Sequence, residues 1–140
     1  MQSSNNWRDR KANAGPNNHG MRRAIGYLGH YPREAPLPYT IQATEIVASV
    51  PDLRVVVLTL GPGEEVPWHW HSNVSDKIFC LQGSLEIEVR VPRERHLLAA
   101  GERFDIAPKR AHVVRNAGDT VCRYLIVQGD GVYDFNPVGA

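Results

Sequence analysis

His69-Trp70-His71, set between Gly63 and Gly83, is where this chain has the means to do chemistry. In a β-strand alternate side chains leave from one face, about 6.5–7 Å apart along the backbone. Two imidazoles at that spacing can converge on one metal ion, whose bonds to nitrogen are roughly 2.0–2.1 Å long. A third imidazole, His112, stands in another strand-like segment, and Asp76 follows His71 by five residues. Imidazoles with a carboxylate are a donor set for one divalent transition metal: iron, manganese, nickel or zinc.

Short strands must position these residues. Leu53–Leu60 is rich in β-branched residues and is stopped by Gly61-Pro62-Gly63; Lys77–Leu81 runs into Gln82-Gly83. Ser84–Val91 alternates, with Leu85, Ile87, Val89 and Val91 on one face and Glu86, Glu88 and Arg90 on the other. Pro92 to Arg95 and Ala99-Ala100-Gly101 turn the chain, and strands follow at Arg103–Ile106, Ala111–Arg115 and Val121–Gln128. Short strands at about 8–12-residue spacing between Gly, Asn and Asp turns predict an all-β sandwich or barrel. At 140 residues the chain supports one domain with a real core. Residues 36–140 are expected to form the barrel. Residues 1–35, rich in Asn, Gly and Pro, are expected to be a flexible or docking N-terminal extension. Within it, Met21 to Tyr31 is more apolar and suits an edge strand or a crossing to a partner subunit. Pro32, Pro36 and Pro38 then predict an extended connector.

Composition excludes several functions. Sixteen basic and fifteen acidic residues leave a formal net charge of +1, so nothing points to nucleic acid or a membrane surface. No apolar run reaches the roughly 18 residues of a membrane-spanning helix, and Met1 to Ala14 is too polar for a secretory signal. Two cysteines make no disulfide framework, and a cytoplasmic location is expected. There is no nucleophile elbow, no Gly-rich dinucleotide turn and no phosphate-binding loop.

The spacings resemble the two motifs of the cupin superfamily. The first reads Gly, five residues, His-x-His, three or four residues, Glu, six residues, Gly; here it is Gly63, His69-Trp70-His71, Asp76, Gly83. The second reads Gly, five residues, Pro-x-Gly, two residues, His, three residues, Asn; here it is Gly101, Ala107-Pro108-Lys109, His112, Asn116. The resemblance covers roughly Leu53 to Gln128. It implies a double-stranded jelly-roll barrel, with His69, His71 and His112 as metal ligands and Asp76 in the place of the family's glutamate. Asp76 is shorter by one methylene, so the resemblance leaves three arrangements: direct ligation, ligation through a water, or a place behind a three-histidine site. Lys109 stands where the family has glycine: either it takes a left-handed conformation, at roughly 1–2 kcal/mol, or the turn is rebuilt, which is the favoured expectation.

By strand parity Asp76, Ile78 and Cys80 face one side, which makes Cys80 a pocket thiol or a core residue, with core favoured. Tyr124, on a face with Cys122 and Ile126, either contributes a pocket hydroxyl or fills space. Trp68 and Trp70 should point away from the metal, either packing within the chain or lying at a subunit interface. Small cupins are commonly dimers, so a homodimer is implied. Lys109 and Arg110 either meet an anionic substrate at the barrel mouth or are simply solvated. His19, His30 and His96 read as ordinary histidines. Among small cupins are dioxygenases, isomerases and lyases acting on substrates that chelate through oxygen, with Asp76 a candidate proton carrier. The alternative is a non-catalytic sensor or binding module for a small ligand, stiffened by the metal.

Overall fold

The computed structural model describes residues 37–139; the expected N-terminal extension and the Met21–Tyr31 segment lie outside them. Ten strands follow one another: β1 Ala43–Val50, β2 Leu53–Leu60, β3 Glu65–Trp70, β4 Ser75–Gln82, β5 Leu85–Val89, β6 Glu94–Leu98, β7 Arg103–Ile106, β8 His112–Asn116, β9 Cys122–Gly129 and β10 Asn136–Pro137. They form two five-stranded antiparallel sheets, ordered β1-β2-β9-β4-β7 and β10-β3-β8-β5-β6. No helix occurs among the described residues.

Alternation builds the core. In β9 every second residue, Cys122, Tyr124, Ile126 and Gln128, is buried, and β4 repeats the pattern with Asp76, Ile78 and Cys80. Register aligns these inward rows: Val56, Ile126 and Ile78 share one rung, and Leu58, Tyr124 and Cys80 the next. From the second sheet Val66, Leu85, Ile87, Val89 and Val114 join the same apolar cluster. Each such aliphatic side chain contributes about 1.5–3 kcal/mol when fully buried. At one end of the first sheet the rung changes character: Arg54, Gln128 and Asp76 are cross-strand partners, all buried and all polar. Polar side chains in that row need partners.

Four local expectations change. Within the barrel no strand is expected before Leu53, yet β1 lies there and pairs with β2, with a bulge between Ile46 and Ala48. Val91 does not continue the inward face of β5: the strand ends at Val89, and Val91 turns out with a φ of 58° and 89% exposure. A further strand, β6, occupies Glu94–Leu98 between the two expected turns. The turn at Lys109 is not rebuilt. Lys109 itself takes the left-handed conformation, φ 66°, which costs roughly 1–2 kcal/mol for a residue with a Cβ. Its N–H donates to the His71 carbonyl at 2.7 Å, tying the loop before β8 to the loop after β3.

Glycine is required at Gly83, where φ is +79° and a Cβ would stand 2.7 Å from the Val121 carbonyl oxygen. Asn116 closes the opposite end. Its amide donates to the Leu60 and Thr120 carbonyls at 3.0 and 2.7 Å, and its oxygen accepts from Gly118 N–H at 2.9 Å.

Candidate metal centre

Each histidine arrives from a different backbone position. His69 lies in β3 and His112 in β8, where they are direct cross-strand partners with ring centroids 4.2 Å apart. His71 lies just past the end of β3. Asp76 comes from the facing sheet, on β4. A register shift between Val66 and His69 marks a bulge in β3, the kind of irregularity that re-aims side chains. One ligand atom from each of His69, His71, His112 and Asp76 lies within 4.8 Å of all the others, and all four residues are buried.

Backbone carbonyls set the rings. Nδ1 of His69 lies 2.6 Å from the Pro67 oxygen, that of His71 2.6 Å from the Asp134 oxygen, and that of His112 2.8 Å from the Arg110 oxygen. A carbonyl oxygen only accepts, so each Nδ1 donates, and in the neutral ring each Nε2 keeps its lone pair. Asp76 Oδ2 lies 3.2 Å from Nε2 of His71 and 3.0 Å from Nε2 of His112. Neither Asp76 Oδ2 nor His112 Nε2 has a hydrogen-bond partner, although both are buried. Lone pairs converging in a buried space require a cation between them, a proton or a metal ion. Three imidazoles and a carboxylate fit a divalent transition metal.

Electrostatics sorts the four. Burial opposes ionisation at His71, but the Asp76 carboxylate 3.2 Å away outweighs it and raises that imidazole above its ordinary value. Burial, reinforced by the neighbouring His112, pushes His69 down to about 3. Burial works against the Asp76 carboxylate, yet the imidazoles of His112 and His71 hold it well below its usual range.

Further residues complete the site. Gln128 donates to Asp76 Oδ1 at 2.9 Å and accepts from Arg54 at 2.7 Å. After β9 the chain doubles back across the site. Phe135 stacks on the His69 ring (centroids 4.4 Å apart, planes at 15°), and Tyr133 tilts against His71 at 5.5 Å. The guanidinium of Arg54 lies 4.4 Å from the Tyr133 ring centroid. Asp134 pins this strap: its carboxylate accepts from Ser72 N–H at 2.8 Å, Ser72 Oγ at 2.5 Å and the Asn136 amide at 3.0 Å. The cavity measures about 20 Å³, room for about one water molecule.

Tyr124 lines this cavity, and burial keeps its hydroxyl protonated far above the usual range. Cys80 does not line it. That thiol is packed in the core, 3.6 Å from the Gly83 carbonyl oxygen, with its ionisation opposed by burial, while Cys122 is pushed up to about 12. Trp68 and Trp70 do not line it either, and Trp68 packs under the Arg90 guanidinium at 4.1 Å. Arg110 is engaged with the Arg90 and Pro92 carbonyls and with Glu94. Sequence reasoning missed Arg54, Gln128, Tyr133, Asp134 and Phe135. For the first two a signal existed, since each is strongly polar in an inward row of largely apolar residues. The strap offered none, because its role depends on where the chain returns.

Comparison with known proteins agrees with this fold. No curated protein sequence matches the chain. A double-stranded β-helix protein from Klebsiella pneumoniae superposes with a TM-score of 0.61 at 22% identity, covering 76% of this chain and 90% of its own. Oxalate decarboxylase from Lactobacillus farciminis superposes at 0.58 and 20% identity, over 62% of this chain and 27% of its own. The Bacillus subtilis oxalate decarboxylase, a protein with Mn(II) centres, does so at 0.58 and 21%, over 62% and 24%. This chain thus spans about a quarter of the length of the decarboxylases it matches. The sequence profile of the Cupin domain matches residues 56–128, just over half of the 140 residues, and with its jelly-roll sheets and its cluster of three histidines and an aspartate the chain belongs to the cupin family as a metal-binding member.

Proposed function

We propose that His69, His71, His112 and Asp76 together hold one divalent ion of iron, manganese, nickel or zinc. On this reading the protein is an enzyme acting on a small organic substrate that chelates through oxygen, by dioxygenase, isomerase or lyase chemistry. The observation that carries it is the convergence of buried lone pairs on one point, with every Nδ1 already committed to a carbonyl. The ion, when bound, supplies a Lewis acid that polarises an oxygen, or a centre for dioxygen chemistry. Asp76 reaches the imidazoles directly, which supports direct ligation over a place behind them. A carboxylate at that point is also a proton acceptor, which favours isomerase or lyase chemistry. Phe135, Tyr133 and Tyr39 line the cavity with their rings.

A second reading is a metal-stiffened module that binds a small ligand without turning it over. A homodimer and a cytoplasmic location belong to the proposal. Exposed Val47 and Val50 on edge strand β1 support the former, and the free thiols of Cys80 and Cys122 the latter. Elemental mass spectrometry on untagged protein purified without chelator, beside a His69→Ala/His71→Ala control, tests the site. About one equivalent of transition metal in the wild type and none in the control is expected. No metal after reconstitution with each candidate ion overturns the reading.

A further inference from the structure

Arg54, Gln128 and Asp76 form one rung across three neighbouring strands, β2, β9 and β4, with Gln128 the register partner of both others. Register therefore places their side chains in one inward row, and hydrogen bonds join them in a fixed direction. A guanidinium donates and never accepts. Because Arg54 Nη1 meets Gln128 Oε1 at 2.7 Å, the amide nitrogen must face the other way, and it donates to Asp76 Oδ1 at 2.9 Å. Arg54 thus settles the orientation of the amide, and the amide settles which carboxylate oxygen is occupied. Oδ1 is capped, while Oδ2 is turned toward Nε2 of His71 and His112 with no hydrogen-bond donor.

We propose that Arg54 and Gln128 are positioning residues that make Asp76 offer a single oxygen, Oδ2, to the metal ion; this rests on Asp76 being a ligand. The arrangement answers the difficulty of a carboxylate one methylene shorter than the family's glutamate. A short arm reaches only if its plane is held in one rotation, and the Gln128 amide holds it from behind. Partners behind a metal's ligands commonly govern affinity by about 10–100-fold.

The test uses the full-length protein and Co²⁺ as the probe, with variants Gln128→Met, which keeps length and volume, and Arg54→Met, which keeps the apolar stem and removes the guanidinium, and their double variant. Metal-free thermal unfolding establishes that each variant folds. Gln128→Met is expected to bind one Co²⁺ with a dissociation constant about 10–100-fold higher and a changed visible absorption spectrum. Arg54→Met should move both in the same direction. Because Arg54 acts through Gln128, the double variant should be no worse than Gln128→Met alone. Folded single variants with wild-type affinity and spectrum overturn the proposal, as do effects of the two substitutions that simply add. A variant that fails to fold is replaced by Gln128→Leu or Arg54→Leu, and the same spectrum decides. Wild-type protein that binds no Co²⁺ overturns the metal-centre reading and this inference with it. Stoichiometric binding to wild type and variants alike, at one affinity, overturns only the inference.

Discussion

Asp76 Oδ2 stands 3.0 Å from Nε2 of His112, and neither atom, though buried, has a hydrogen-bond donor. The His112 ring already spends its Nδ1 proton on the Arg110 carbonyl. Two lone-pair atoms that close repel unless a positive charge lies between them, so the pair is built around a cation.

Asp76→Asn keeps the shape and removes the charge. Its metal affinity is expected to fall by more than the roughly 10–100-fold associated with residues behind the ligands. Competition with a chromophoric chelator measures this, and an unchanged dissociation constant would place Asp76 outside the ligand set.

Metal uptake should release protons, because ligands bind deprotonated. His71 lies above its ordinary 6.5 in the metal-free protein, so near that pH it carries a proton that the ion must displace. His69, pushed down to about 3, carries none there. Affinity should therefore fall as pH is lowered through the raised His71 value. Calorimetry in buffers of different ionisation enthalpy counts the protons, and a pH-independent affinity across that window contradicts the assignment.

Phe135→Ala removes the ring stacked on His69. Phe135 is half-buried, so the stability loss should be about 1–3 kcal/mol, below the 3–5 kcal/mol of a fully buried phenylalanine. With the roof opened, chelator should strip the metal faster. Stopped-flow extraction at an unchanged rate would show that the strap does not control access.

Gly83 and Gly63 both have positive φ, but only at Gly83 would a Cβ strike backbone, 2.7 Å from Val121 O and 3.1 Å from Cys122 Cα. Gly63→Ala should cost about 1–2 kcal/mol from the left-handed backbone alone, and Gly83→Ala clearly more. Urea unfolding midpoints rank the two, and equal losses would contradict the steric argument.

Strands β2, β4, β5, β7, β8 and β9 announce themselves through alternation and turn residues. β1 and β10 do not: Ala43–Val50 has only Ile46, Val47 and Val50 as large apolar residues, and Asn136–Pro137 is two residues long. Both exist because a neighbouring strand, β2 or β3, offers an edge to pair with.

Residue spacing determined the all-β class and, with the resemblance to the two cupin motifs, the four side chains that could meet a metal, since period-two alternation and motif intervals are local properties of the chain. Tertiary structure decided the rest. That Asp76 reaches His112, that Gln128 and Arg54 stand behind it, and that Phe135 roofs His69 all depend on residues far apart in the chain, 52 positions for Gln128 and Asp76 and 74 for Arg54 and Gln128, or on the chain returning after β9. Such contacts are set by strand register and by the closing of one sheet over the other. A single-residue shift would turn Gln128 outward and leave Asp76 unsupported, and no local pattern of residues encodes that choice.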